Sequence, residues 1–247
     1  MKSTERHRLK ENDFAHTVAR TREMVDQRRN EVMVIVVAVI AVTAVIGGYL
    51  GWRASRDGKS QALLASALAV SEAQVYTPPP PAPGSAPPVQ PPGTFRTERE
   101  RLEAALPRLQ AAADAYPDTP AGITARFHLA STLAALGRFG EAEQRYQEVI
   151  QKAGSKSIYR QTAKLGVGEA QLAQGKGEAA IATFKELSTD TNSQLPVDGV
   201  LMQLGRAALT AGKGEEATRA FTRVVDEFPQ SLYASEAKEK LAGLKKA

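Results

Sequence analysis

Cysteine is absent from the 247 residues, which excludes disulfides, zinc-thiolate sites and thiol nucleophiles. The absence fits an oxidising compartment and does not require one. Histidine is scarce too: His7 and His16 stand far from His128, so no pair has metal-ligand spacing within one folded unit. One-sided charge is also lacking. The formal net charge of +5 comes from 32 basic and 27 acidic residues, spread as +2 over 1–31, +1 over 53–94 and +2 over 95–247. No segment carries the basic excess of a nucleic-acid surface, so no nucleic-acid partner is expected. Phosphate-loop and nucleophile-elbow motifs are missing. Gln174-Gly175-Lys176-Gly177 falls short of a P-loop, which needs glycine at 170 and Ser or Thr at 177, where Ala170 and Gly177 stand. Acidic pairs such as Glu215-Glu216 suit the start of a helix rather than acid–base chemistry. The expectation is a non-enzyme with no cofactor, no metal and no small-molecule substrate.

What the chain does have is strongly partitioned. Residues 1–31 are polar and basic, 32–52 are wholly uncharged, and 77–94 hold nine of the 14 prolines. The uncharged run extends from Val32 to Trp52 and is bounded by Glu31 and Arg53. As a helix it extends about 31 Å, enough for the hydrocarbon of a bilayer. A buried helix of a soluble protein would rarely be so long without a charged side chain, so a single transmembrane helix over 32–52 is expected. Tyr49 and Trp52 are placed as interfacial anchors, with Arg53 and Arg56 beyond. No small-residue cleavage pattern follows, so the segment is expected to remain as an anchor. Eight Lys and Arg precede the span and Arg53, Arg56 and Lys59 follow it, which favours a cytoplasmic basic tail 1–31. Counting only the basic residues nearest the span, the margin narrows to four against three.

Gly47 and Gly51 form G-x-x-x-G, and Ala44 with Gly48 repeats the spacing. Such a face admits close packing of another helix, including that of a second copy in a homo-oligomer, although small residues are common in spans generally. Before the span, Phe14, Val18, Thr21 and Val25 give a weak apolar stripe expected on a helix. After it, Leu63, Leu64, Leu68, Val70 and Val75 predict helix over roughly 59–76, and 53–76 is expected as a membrane-proximal helix. Residues 77–94 cannot be helix or sheet, because proline lacks an N–H and clashes with the preceding turn. They read as an extended, semi-rigid linker or insertion.

Residues 95–247 repeat. Gly137, Gly175 and Gly212 recur at intervals of 38 and 37. Seven residues before each stand Ala130, Gly168 and Gly205; five after come Ala142, Ala180 and Ala217; four later an aromatic, Tyr146, Phe184 and Phe221. Val149, Leu187 and Val224 follow three further on. A small residue, a glycine turn, a small residue and an aromatic describe a helix pair. The small residues let two antiparallel helices approach, the glycine ends the first, and the aromatic fills the gap against the neighbouring repeat.

This pattern resembles the tetratricopeptide repeat. The third copy is most in step, with Leu204-Gly205, Ala217, Phe221 and the closing Pro229. The family's early tryptophan is missing from every copy, and two intervals exceed the usual period of about 34 residues by three or four. A partial fourth repeat lies upstream, where Ala105, Leu109, Ala112 and Pro117 match a helix B. The only local source of its helix A is 59–76, which would make 77–94 an insertion inside the first repeat. At the far end a capping helix is expected over 231–245, with Ser231 at its N-cap and Ala234, Ala237, Leu241 and Leu244 on one face. The expected fold class is all-α: a single N-terminal transmembrane helix followed by a tetratricopeptide-repeat α-solenoid.

Such arrays bind peptides or helices along the surface lined by helix A. Fifth positions of helix A are Phe127, Leu165 and Met202, and ninth positions Ser131, Glu169 and Arg206. These six form the candidate groove, although the apolar three equally suit an inter-repeat core. Lys and Asn, which the carboxylate-clamping members of the family carry there, are absent. In layout the chain resembles the membrane-anchored ancillary subunit of the Sec translocon (YfgM type) and the related cell-division coordinator repeat domains. The resemblance implies an inner-membrane adaptor with periplasmic repeats, whose partners are the translocon and a periplasmic chaperone. A second resemblance, carried by Phe221 to Ala237, is to envelope-assembly proteins of the Tol-Pal or outer-membrane-assembly kind.

Overall fold

The computed structural model describes residues 28–78, 89–155, 157–191 and 193–245. His7, His16, the Phe14 to Val25 stripe and most of the proline-rich stretch lie outside them. The described residues are helical, with one isolated bridge between Val75 and Phe95. In chain order the helices are α1 (Arg29–Ser71), α2 (Glu98–Ala115), α3 (Pro120–Ala135), α4 (Phe139–Lys152), α5 (Ile158–Ala173), α6 (Gly177–Thr189), α7 (Val197–Thr210), α8 (Gly214–Glu227) and α9 (Ala234–Leu244). The chain divides into two compact units, residues 1–55 and 56–247.

In the first unit the apolar side chains of α1 from Met33 to Trp52 are exposed, and Thr43 donates its hydroxyl to the Val39 carbonyl at 2.7 Å. Gly47, Gly48 and Gly51 have open space where a Cβ would stand. The helix is long and apolar enough to cross a membrane. Residues 53–58 are helical and continue the span, because a single Gly58 costs only about 1 kcal/mol in a helix. One expected boundary is corrected: the helix ends at Ser71 rather than 76. There the chain turns extended, Tyr76 N–H donates to Phe95 O (2.8 Å), and Phe95 N–H donates to Gln74 O (3.0 Å).

The second unit is a run of antiparallel helix pairs. Thr97 caps α2 by accepting from Glu100 N–H (3.1 Å), and Thr119 caps α3 by accepting from Gly122 N–H (3.1 Å), with Pro120 in the first turn. Helices α3, α5 and α7 end alike. Gly137, Gly175 and Gly212 take φ of +77°, +75° and +72°, and the N–H groups of the following Arg138, Lys176 and Lys213 return to Leu133, Gln171 and Ala208 at 2.8–2.9 Å. These are three copies of one Schellman termination, and the left-handed conformation is why glycine recurs there. Pro229 lies in the turn after α8.

Two hydrophobic clusters form the core. The first holds Ala67 of α1 with Ala105, Leu109 and Ala112 of α2 and Ala130, Ala142, Tyr146 and Val149 beyond. The second runs from Ala180 and Phe184 to Ala217, Phe221 and Ala237. Buried Arg126, 4% exposed, donates to Ala113 O (3.2 Å) and Pro117 O (3.4 Å) and pairs with Glu148 at 2.8 Å. It therefore closes the carbonyl end of α2 onto α3 and α4. One interval later Lys164 pairs with Glu186 in the same way. In the next copy the position is Leu201, fully buried.

Candidate functional site

The three helices α3, α5 and α7 are the first members of their pairs, and they carry the six candidate groove residues. Phe127 is half-buried among rings, with centroids 5.4 Å from Tyr159 and 5.7 Å from Tyr146. Leu165 is half-buried at the margin of the second cluster. Met202, at the same repeat position, is 1% exposed and belongs to the core. The ninth positions are all tied to neighbours: Ser131 Oγ lies 3.0 Å from Tyr146 Oη, Glu169 accepts from Gln203 Nε2 (3.1 Å), and Arg206 donates to both carboxylate oxygens of Glu236 at 2.8 and 2.9 Å. Both bonds come from Arg206 Nη2, and this pair ties α7 to α9.

Of the six, Leu165 and Glu169 come together in a cavity of about 460 Å³. Leu195 and Pro196 enter from the loop before α7, and Asp198, Gly199, Val200 and Gln203 from α7 itself. Leu232 and Tyr233 close it from the turn before α9. Its volume is in the range of about 300–1,000 Å³ in which ligands are held. The expected N-cap role of Ser231 is corrected here: the helix begins at Ala234, while Ser231 Oγ accepts from Tyr233 N–H (3.0 Å) and donates to Asp198 Oδ2 (2.6 Å). Ser231 thus fixes the Leu232-Tyr233 turn against the first turn of α7.

Glu169 is exposed on its outer side, yet the protein packed around its carboxyl raises it above the usual glutamate range by partial desolvation, against the opposing effects of the Gln203 hydrogen bond and the Arg206 charge. Glu143, on α4, behaves in reverse. Burial would raise it, but hydrogen bonds from Lys176, Gln174 and Gln171 at 2.9–3.0 Å outweigh burial and hold it low. Lys176, the lysine of the motif that falls short of a P-loop, is thereby engaged in joining α4 to the turn between α5 and α6. Burial lowers the His128 imidazole, with Glu72 opposing. Among the described residues no three His, Asp or Glu side chains form a metal-ligand group.

Of the cavity wall, sequence reasoning missed every residue other than Leu165 and Glu169: Leu195 and Pro196, Asp198, Gly199, Val200 and Gln203 of α7, and Leu232 and Tyr233. One signal is available: Gly199 stands where the other copies carry Thr124 and Thr162, a side chain missing from one rung of helix A. A second signal is the spacing of Ile158, Leu195 and Leu232, each 37 residues apart, which puts an apolar residue at or just before the start of α5, α7 and α9; most of the rest of the wall is contributed by α7.

No curated protein sequence matches the chain. Among solved structures, the nearly identical TPR-like repeats of a Podosopora anserina putative kinesin light chain superpose with a TM-score of 0.52 at 17% identity, covering 60% of this chain and 80% of that one. A variant form of those repeats gives 0.53 at 17%, covering 60% and 79%. These likenesses concern the fold. A tetratricopeptide repeat protein from Parabacteroides merdae gives 0.49 at 17% identity, covering 60% and 55%. A tetratricopeptide repeat model matches residues 200–231. The model of the tetratricopeptide repeat-like domain matches residues 27–195, more than half of the chain, and the chain belongs to that family.

Proposed function

We propose that this chain is a non-enzymatic, inner-membrane adaptor, held by residues 32–52 with its N-terminus cytoplasmic and its repeat domain periplasmic, and that it is an ancillary translocon subunit linking export to periplasmic chaperones. The observation that carries the reading is the pairing, in one chain, of a helix apolar enough to span a bilayer with a family of repeats whose role is protein–protein interaction. The exposed apolar side chains of α1 suit lipid, and Thr43 satisfies its own hydroxyl within the helix as a lipid-facing threonine must.

In this reading residues 56–71 of α1 serve as helix A of the first repeat and α2 as its helix B, so that 77–94 is an insertion. Support comes from Ala67, fully buried in one cluster with Ala105 and Leu109, and from the Val75–Phe95 bridge that pinches the insertion at its base. Arg101 of α2 adds a bond to Ala73 O at 3.4 Å.

Photo-crosslinking in native membranes from exposed positions of the repeat domain tests the function. Products with the translocon and a membrane-anchored chaperone are expected. Products with peptidoglycan-synthesis or outer-membrane-assembly proteins would replace the reading with the envelope-assembly one, and an absence of protein products would overturn the adaptor role altogether.

A further inference from the structure

We infer that the cavity between α5, α7 and the turn before α9 is the docking site for a peptide segment that presents an apolar side chain next to a lysine or arginine. The inference rests on the adaptor reading and specifies the chemistry of what is bound.

Both halves of that chemistry are on the cavity wall. Leu165, Leu195 and Tyr233 supply apolar surface, and Leu232 is 97% exposed at the rim. A single leucine in water means little by itself, but this one is held in a turn fixed by Ser231 and borders a cavity large enough for one or two side chains. The charged members of the wall are Glu169 and Asp198, and among the described residues no lysine or arginine lines it. Arg206, one turn beyond Gln203 on α7, is held by both carboxylate oxygens of Glu236, and with Glu169 and Asp198 as its charged lining the cavity wall is negative. An ionised carboxylate offers about four acceptor sites, and the Ser231 and Gln203 bonds occupy one on each. An apolar anchor flanked by a cation satisfies both surfaces, whereas an acidic peptide would bring like charges together in a partly desolvated site.

Gly199 offers a clean way to close the cavity. A Cβ there would meet Tyr233 Cε2 at 3.4 Å, an ordinary contact, so a side chain can be added without disturbing the helix and must grow into the cavity. The probe is a fluorescent Gly-Leu-Lys-Leu-Gly peptide, titrated by anisotropy against the full chain in phosphatidylcholine nanodiscs, with empty nanodiscs subtracted. Saturable binding is expected, weakened at least about tenfold by Leu→Ser or Lys→Glu changes in the peptide and by G199F in the protein. L232S should weaken it as well, since it removes apolar surface without changing the charge of the wall, and because that side chain is almost wholly in water the substitution leaves packing intact whatever G199F does to folding. Equal binding of the Lys→Glu peptide, unchanged binding by G199F and L232S, or no saturable binding of the parent peptide would each overturn the proposal. So would a concentration-dependent dimer abolished by G199F, which would make a second copy the occupant. Crosslinks to protein partners in membranes that persist when the peptide does not bind would overturn this proposal alone and leave the adaptor reading standing.

Discussion

The ring of Phe184 occupies the space that a side chain on Gly168 would need: a Cβ built on Gly168 would stand 2.5 Å from ring Cε1. Phe221 stands in the same relation to Gly205, at 2.4 Å. Glycine in mid-helix costs about 1 kcal/mol relative to alanine, so on propensity alone Gly168→Ala and Gly205→Ala should stabilise. Overlap with a fully buried ring should win. Each substitution is expected to lower stability by about 1–3 kcal/mol, seen as a lower melting temperature of the full chain in detergent. A raised melting temperature would show that the rings move aside at little cost.

The turn glycines are constrained by backbone rather than by space. Gly137, Gly175 and Gly212 have nothing within 4 Å of a built Cβ, yet each has φ above +70°. Alanine there should cost about 1–2 kcal/mol per site through the left-handed conformation, and asparagine distinctly less. Urea denaturation of the Gly175→Ala and Gly175→Asn pair checks the order.

These two glycine classes explain how far the repeat is legible in sequence. Each copy solves the same local problem with the same residues, so the recurring interval between the turn glycines exposes the helix pairs and the turns together. The expected aromatic contact with the neighbouring repeat is met by Tyr146, which lies over Gly166, and is corrected for Phe184 and Phe221, which fill the space over Gly168 and Gly205 of their own pairs. Position five carries no such constancy: Phe127 sits among rings, Leu165 at a cavity wall and Met202 in the core, because each copy has different neighbours. The end of α1 is hidden because the extended segment that follows it pairs with Phe95, across the proline-rich stretch, and no local signal in Glu72–Tyr76 points there. Ser231 looks like a cap by composition, but its oxygen is committed to Tyr233 and to Asp198, a partner far away in the chain. The cavity wall likewise draws on segments whose meeting depends on tertiary packing.

Glu143 binds Gln171, Gln174 and Lys176 with a side chain only 12% exposed, and so links α4 to the next repeat. Glu143→Ala leaves those donors without their acceptor and should cost about 1–3 kcal/mol. Its carboxyl is held below the usual range in the folded state, so the stability it contributes is present above the unfolded-state pKa and lost as pH falls through the folded one. The difference in melting temperature between wild type and Glu143→Ala should therefore shrink on acidification. A difference independent of pH would mean that packing, not charge, makes the link.

The proposed orientation rests on the charges that flank the apolar run, and it can be tested directly. A reporter fused after Ala247 is expected to be active only outside the cytoplasm, since Arg28 and Arg29 lie on the side with the larger basic count. Changing both to Glu should produce a mixed population, with part of the reporter retained in the cytoplasm. Cytoplasmic activity of the unmodified fusion would reverse the proposed orientation.

Leu165 and Met202 share a repeat position, and serine at each should have opposite consequences. Met202 is buried in the second cluster beside Leu201 and Ala237, so Met202→Ser removes a large apolar side chain and leaves both a void and a hydroxyl in the core. A loss of about 2–5 kcal/mol is expected, with unfolding visible by circular dichroism at a lower temperature. Leu165 already faces the cavity on one side, where water or a ligand can replace it, so Leu165→Ser should cost distinctly less stability. Its effect should fall instead on peptide capture, because apolar area buried by a ligand contributes roughly 25 cal/mol per Å² before association costs. Melting and anisotropy on the two single variants separate these roles. Equal destabilisation would make Leu165 a core residue like Met202, and equal loss of binding without destabilisation would return Met202 to the groove.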